Sequence, residues 1–485
     1  MTMKFTQSTL STFLVAVLAC GLFFTGCKKK EGCTDPTSLN YDPEAEKDNG
    51  TCQYSNENVI TDNGSGTGTT TWTSDKVYIL DGFVFVNAGQ TLTIQAGTVI
   101  KGRAGQGTDA SALVVARGGR IIAEGTAAKP IIFTAEQDDV TNPSDIPAGT
   151  SGLWGGLIIL GNASLNSSPG TSSIEGIPTT ETRGLYGGTN DADNSGILKY
   201  ISVRYGGTDI GAGNEINGVT FGGVGSGTVV EHIEVFGNAD DAFEWFGGTV
   251  NCKYLVAAFA GDDSFDYDEG FRGKGQFWFS LNNGTNGDRG GEHDGGTNPE
   301  NGTPYATPVI YNATYIGGAS TAGKRALTFR DNAGGQYHNS IFSDWGRGVD
   351  IELLSGGATS SYNRFQSGEL ALNGNVFWNI GTITDPTRLF TISGDFNLDP
   401  VDSTDALNAV RAHVAAGGNT LENPMFTNIT REPTGNLNPV PTSATVTAGA
   451  VPSADAWYTP ATYKGAFGTS NWLATWTALD ALGYL

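Results

Sequence analysis

The sequence predicts an all-β chain: a right-handed parallel β-helix solenoid with a short disulfide-stapled N-terminal module and a C-terminal cap. Three observations carry this reading. Of 485 residues, 70 are Gly and only 18 Pro, so Gly stands at roughly twice its usual share without a collagen period. Short β-rich runs follow one another, punctuated by Gly, Asn and Asp, and no long helical periodicity occurs before about residue 400. Similar segments recur at intervals of 22 to 24 residues, and such a period with several short strands marks a solenoid. A β-propeller needs blades of roughly 40–50 residues, about twice that period.

Composition bounds the function. Hydrophobic residues at 38% and aromatics at 10% suffice for a core, which excludes global disorder. Fifty acidic against 27 basic residues give a net charge of −23. Such a surface repels nucleic acid and anionic lipid and attracts cations, so nucleic acid is excluded as a partner.

Residues 1–26 read as a secretion signal: Lys4 is the only charge before the apolar stretch Phe13–Phe24. That stretch is short for a span, which needs about 20 apolar residues. It ends in Phe24-Thr25-Gly26-Cys27, which resembles the lipobox of bacterial lipoproteins, with Phe24 where Leu is usual. The resemblance implies cleavage before Cys27 and its acylation. Membrane contact is then through the lipid anchor only, at an outer membrane and facing the exterior. With Cys20 removed and Cys27 lipidated, Cys33 and Cys52 are natural disulfide partners in an oxidising compartment. They bound a module, residues 27–56, similar to small cysteine-bounded modules of bacterial surface proteins. Cys252 lies in an apolar run and reads as a core residue.

A Gly/Thr/Ser-rich linker spans 57–74, and the β-helix is assigned to 75–385. Predicted strands include Val77–Leu80, Phe83–Val86, Leu92–Ile94, Leu113–Val115, Ile121–Ala123, Ile131–Phe133 and Leu157–Leu160. Three strands per rung give about a dozen rungs. Gly89–Thr98 is echoed by Gly118–Thr126, and Val230–Phe236 by Cys252–Ala258. Asp240-Asp-Ala-Phe-Glu-Trp-Phe-Gly-Gly248 recurs 22 residues on as Asp262-Asp-Ser-Phe-Asp-Tyr-Asp-Glu-Gly270. Arg347–Glu352 fits the same pattern more loosely. In 386–485 the repeat frays into irregular rungs: Ser403–Ala416 can form a helix, and the Trp-containing tail to Leu485 reads as the cover of the last rung.

Leu153–Gly161, Leu198–Gly207 and the two Asp-Asp rungs resemble a family of large bacterial surface lipoproteins with pectin-lyase-like β-helices. The resemblance implies fold and location more than chemistry.

The acidic rungs are the foremost site. A 22-residue rung stacks Asp240 on Asp262, Asp241 on Asp263 and Glu244 on Asp266. Stacked like charges repel, and calcium, which takes six to eight hard oxygen ligands, would neutralise them. The competing reading sets them in hydrated outward turns. Trp245, Tyr267 and Trp278 lie in the same rungs: facing outward they would stack on sugar rings, facing inward they would build the core. The segment Asn282–Thr307 shows no strand pattern and reads as a long loop carrying Arg289, Glu292, His293 and Asp294. By analogy with pectate-lyase-like enzymes, Arg272 or Arg289 would be the base of a calcium-dependent reaction, with His293 nearby.

These residues lead to a lipid-anchored cell-surface β-helix that binds extracellular polysaccharide, with calcium-stabilised acidic rungs. The alternatives are a calcium-dependent lyase or hydrolase of anionic glycans, and a structural subunit of an outer-membrane assembly.

Overall fold

The structure, a computed structural model, describes residues 29–34, 39–49, 51, 56–211, 214–284, 286–354, 359–384, 389–393 and 400–485. Cys27 and Cys52 lie outside the described residues, and with them the expected acylation and disulfide. The chain forms two compact units, Met1–Asn56 and Glu57–Leu485. In the first, Glu31–Gly32 pairs in parallel with Lys47–Asp48, and Cys33 is buried. Its ion pairs, such as Lys30 to Asp42 at 2.9 Å, are exposed and contribute little.

The second unit is a parallel β-helix with three strands to a rung. One ladder is a ten-stranded sheet whose strands pair in parallel in chain order. It runs Phe83–Val86, Ala112–Val115, Leu157–Leu160, Val219–Gly222, Phe243–Phe246, Phe265–Asp268, Arg289–Asp294, Arg325–Arg330, Arg347–Glu352 and Phe390–Ser393. The other two ladders fuse where rungs lengthen. Gly196–Arg204 pairs through its first half with Arg120–Glu124 and through its second with Ile131–Ala135. The 22-residue repeat is the rung itself: Phe243 pairs with Phe265, Glu244 with Asp266 and Trp245 with Tyr267. Arg347–Glu352 sits in the same sheet, Val349 opposite Leu327.

Alternation decides which residues enter the core. Val84, Leu113, Leu157, Val219, Phe243 and Phe265 form one inward column of fully buried side chains. Trp245 and Trp278 face each other inside at 5.0 Å and 1°. Gly291 takes the inward position between Phe265 and Leu327. A Cβ there would meet the His293 ring at 2.5 Å, so glycine makes room for the folded-back imidazole.

The fused strands bend at residues with left-handed backbone: Tyr200, His232, Tyr254 and Phe277, φ 49°, 57°, 57° and 60°. That conformation costs a non-glycine residue roughly 1–2 kcal/mol. Stacking offsets it, because the bend turns each side chain outward onto the next. Ring centroids are 4.2 Å apart from Tyr200 to His232, 4.2 Å from His232 to Tyr254 and 4.8 Å from Tyr254 to Phe277. Trp472 and Trp476 then close edge-on over Tyr254 and His232.

The tail is thus placed differently from the expectation that it covers the last rung. Helix Pro400–Ala416 packs on the last strand, Phe390–Ser393, and its Ala406, Val410 and Val414 join the main core. The tail clads the flank, where Phe467, Leu473, Trp476 and Leu479 bury Phe236, Phe277 and Phe279. The reason is supply: the outward bends present an aromatic surface that needs a cover, while the helix already closes the end. Glu234, fully buried, pins the tail by accepting the N–H groups of Ala478 and Leu479 and the hydroxyl of Ser202.

Glu234→Ala strands those donors, so a loss of about 1–3 kcal/mol is expected. Limited proteolysis should release the tail faster in this variant than in the parent chain. Equal rates would show that Glu234 does not hold it.

Candidate functional site

The ten-stranded sheet has an outward face as well as an inward one. Its central outward column reads Phe85, Val114, Ile158, Thr220, Glu244, Asp266, Glu292, Thr328, Asp350 and Thr391. The apolar start of the column is roofed: Leu165, Ile174, Ile177 and Tyr186 pack on Phe85, Val114 and Ile158. From Glu244 onward the column turns polar and charged. At the edge of the roof, Ile174, Glu175, Ile177 and Ile210 line a cavity of about 340 Å³, within the size range of small-ligand sites.

All six predicted acids come together here. Oxygens of Asp240, Asp241 and Asp262 lie within 4.8 Å of one another, as do those of Asp241, Glu244 and Asp266, and those of Asp262, Asp263 and Asp288. Carboxylates at that spacing repel by roughly 3–4 kcal/mol per pair at an effective dielectric of about 20. The third group is compensated: Arg289 Nη1 reaches Asp263 at 3.2 Å and Asp288 at 2.9 Å, and Lys324 reaches Asp288 at 3.3 Å. Among the described residues, no cationic side chain comes within 4 Å of Asp240, Asp241, Glu244, Asp262 or Asp266. The first two groups are therefore open to a hard cation, and their oxygen-only donor set is the kind calcium takes.

Burial and crowding show in the ionisation. Desolvation first, then the charges of Glu175, Glu215 and Asp262, push the Asp240 carboxyl up to about 7. Burial and neighbouring carboxylates likewise hold Asp241, Glu244 and Asp266 well above the ordinary range. Asp268 is pushed up to about 6, chiefly by burial.

The outward reading of the aromatic residues and the loop reading of the segment that carries His293 are corrected by the structure. Trp245, Tyr267 and Trp278 are 0%, 1% and 1% exposed, so they are core side chains and not a sugar-stacking platform. The Tyr267 hydroxyl is used on the Gly334 carbonyl at 2.6 Å, and the Trp278 indole N–H on that of Cys252 at 3.0 Å. His293 is fully buried, stacked on Tyr267 at 4.1 Å and bonded through Nε2 to the Tyr337 hydroxyl at 2.8 Å. Burial pushes its pKa down to about 3, and it faces away from the acids. The segment expected as a loop contains a strand, Arg289–Asp294. Arg272 lies apart from the acids, tied to Asp191 at 3.0 Å and to Ser164 at 2.8 Å. Arg289 does border the cluster, already held by Asp263, Asp288 and Glu292.

Sequence reasoning missed Glu175, Asn217, Asp288 and Arg330. Asn217 Nδ2 donates to Glu175 at 2.9 Å and also to Glu244; Arg330 bridges Glu292 at 2.9 Å and Asp294 at 2.6 Å. The period of two in Arg289-Gly-Gly-Glu-His-Asp294 could have aligned Glu292 with Asp266. No local signal points to Glu175 or Asn217, which come from connections between rungs.

A family model described as a pectate-lyase-like beta helix domain matches residues 64–445. The chain belongs to that family. No curated protein and no solved structure matches it. Among the described residues of this pectate-lyase-like β-helix, no helix is long and apolar enough to cross a membrane.

The acids make stability depend on pH in a definite direction. Unfolded, Asp240 ionises near 3.8; folded, it keeps its proton to about 7. Its contribution is complete below 3.8 and is lost as pH rises through 7. In chelator, the melting temperature should therefore fall between pH 5 and pH 8, and Asp240→Asn should flatten that slope. A slope of the same size in the variant would remove Asp240 from this account.

Proposed function

We propose that this chain is a lipid-anchored cell-surface protein that binds polysaccharide along the open, acidic face of its ten-stranded sheet. Calcium is held there by Asp240, Asp241 and Asp262. The observation that carries the reading is the set of uncompensated carboxylates on that outward face, in a pectate-lyase-like β-helix. A bound calcium would supply positive charge that bridges the protein's carboxylates to carboxylate or hydroxyl oxygens of a glycan. Direct stacking on Trp245, Tyr267 or Trp278 is closed off by their burial, so recognition falls to the cation and to hydrogen bonds. Arg289 is engaged by three carboxylates and Arg272 by Asp191. Their engagement favours binding over a lyase reaction with either as base.

The test uses the full chain on immobilised uronate-rich and neutral polysaccharides, with calcium and with chelator. Retention on a uronate-rich polymer in calcium, lost in chelator and in Asp240→Asn, is the expected result. Absence of retention on every polymer would overturn polysaccharide binding; retention indifferent to chelator would overturn the calcium bridge.

The anchor is tested separately in cells. Labelled fatty acid should enter the parent chain and not Cys27→Ser, and protease added to intact cells should digest the parent. A labelled Cys27→Ser variant would refute acylation at Cys27.

A further inference from the structure

We propose that a cavity between the rungs and the tail binds a small carboxylate that carries hydroxyl groups, a single sugar-acid unit, through Arg431 and Tyr484. None of the residues lining this cavity belongs to the ten-stranded sheet. The site needs no metal ion, so it stands or falls independently of the calcium reading.

Three parts of the fold build the cavity, which measures about 370 Å³, toward the lower end of the ~300–1,000 Å³ that small-ligand sites occupy. Phe259 and Asn283 follow strands of successive rungs, Asn251–Ala258 and Lys274–Leu281. Ala148 comes from the connection between Ile131–Ala135 and Leu157–Leu160. Arg431, Glu432 and Tyr484 come from the tail.

Arg431 is a cation held in place without a counter-charge. Its Nε donates to the Asn282 carbonyl at 2.7 Å and its Nη2 to the Gly317 carbonyl. Those carbonyls follow the paired residues Leu281 and Ile316 of successive rungs. Nη1 has no protein partner, and among the described residues no carboxylate comes within 4 Å of the guanidinium. Burial pulls its pKa below the usual value, against the charge of Asp344, which is itself bonded to Ser343 and Asn379. A planar guanidinium pinned on one side presents its remaining N–H groups as a preformed fork for a carboxylate.

Tyr484 is the second unmet donor. It is 4% exposed, and its ring packs on Phe236 at 5.9 Å and on Phe259 at 5.4 Å. Its hydroxyl nevertheless has no hydrogen-bond partner among the described residues, whereas a buried tyrosine ordinarily finds one. Burial first, and then the Glu432 charge, push its pKa up, which keeps the proton on the hydroxyl to be donated. Glu432 is exposed on the same cavity and forms no ion pair with Arg431.

The chemistry of the occupant follows from these three groups. A cation would meet Arg431. A simple anion would satisfy Arg431 but has no hydrogen to give Glu432, and a neutral sugar would leave the guanidinium without a counter-charge. A carboxylate with hydroxyl groups answers all three: the carboxylate takes the Arg431 fork, one hydroxyl oxygen accepts from Tyr484, and another hydroxyl donates to Glu432. Such a ligand touches tail, rungs and connection together, so its binding should also slow proteolytic release of the tail.

The experiment is calorimetric titration of the full chain, in chelator throughout, with D-galacturonate, D-glucuronate, D-galactose and acetate. At least one uronate should bind, and about tenfold or more tighter than galactose, which lacks the carboxylate, and acetate, which lacks the hydroxyls. Tyr484→Phe keeps the ring and should weaken uronate binding about fivefold to tenfold, and Arg431→Gln about tenfold to a hundredfold. Asp240→Asn should bind as the parent does. Unchanged near-ultraviolet circular dichroism identifies the variants that fold, and if Arg431→Gln does not, Tyr484→Phe decides alone. An oligogalacturonate that binds as tightly as the monomer identifies a glycan end as the occupant, and binding of the monomer alone a free sugar acid; both support the site. Galactose or acetate binding as tightly as the uronates would overturn the assigned chemistry. Uronate binding indifferent to Tyr484→Phe, or neither heat nor a melting shift with any of the four, would overturn the site.

Discussion

Parallel, in-register pairing between successive rungs is the constraint on which the rest of the structure depends. Each backbone bond to the rung above places equivalent residues about 4.8 Å apart. A column must therefore hold side chains that tolerate their own kind at close range. Aromatic and aliphatic side chains do so by stacking, and the inward columns are made of them. Carboxylates do not, so a column that repeats an acid in successive rungs, as Glu244, Asp266 and Glu292 do, needs an answer from outside the column. Arginine supplies it at Asp263 and Glu292. At Asp241, Glu244 and Asp266 the protein has no such answer of its own among the described residues.

The same constraint shapes the flank. Bends at Tyr200, His232, Tyr254 and Phe277 repeat in register because the strands do, and repetition turns four strained residues into one continuous stack. Two outward faces thus follow a common logic with opposite chemistry: the aromatic flank is sealed by the tail, and the acidic one carries carboxylates that no cationic side chain among the described residues pairs with.

Much of this was legible in the sequence. The rung length was visible because Asp240–Gly248 and Asp262–Gly270 share their pattern at the spacing that the pairing of Phe243 with Phe265 realises. Strand positions such as Phe83–Val86 and Leu157–Leu160 were visible from β-rich runs between turn residues. The direction of each side chain was also there, in the alternation of Phe265, Asp266, Tyr267 and Asp268, and it places the aromatics inside. What local pattern could not show was convergence. Glu175 and Asn217 reach Glu244 from connections whose course is set by the roof packing of Ile174, Ile177 and Ile216, a tertiary fact with no periodic trace. The tail's position was hidden for a similar reason, since the stack it covers is built from single aromatic residues spaced a whole rung apart.

A solenoid ordinarily comes apart as it is built, each unit answering only to its neighbours. The tail changes that rule along the flank. Its residues touch side chains from several rungs at once, from Phe236 and Phe259 to Phe277, Phe279 and Ile316, much as a splint spans a fracture. Those rungs cannot fray singly while it stays bound, so they share one fate under heat or force. The splint is also synthesised after every rung it spans. Those rungs must then stand without their cover until its residues have been made.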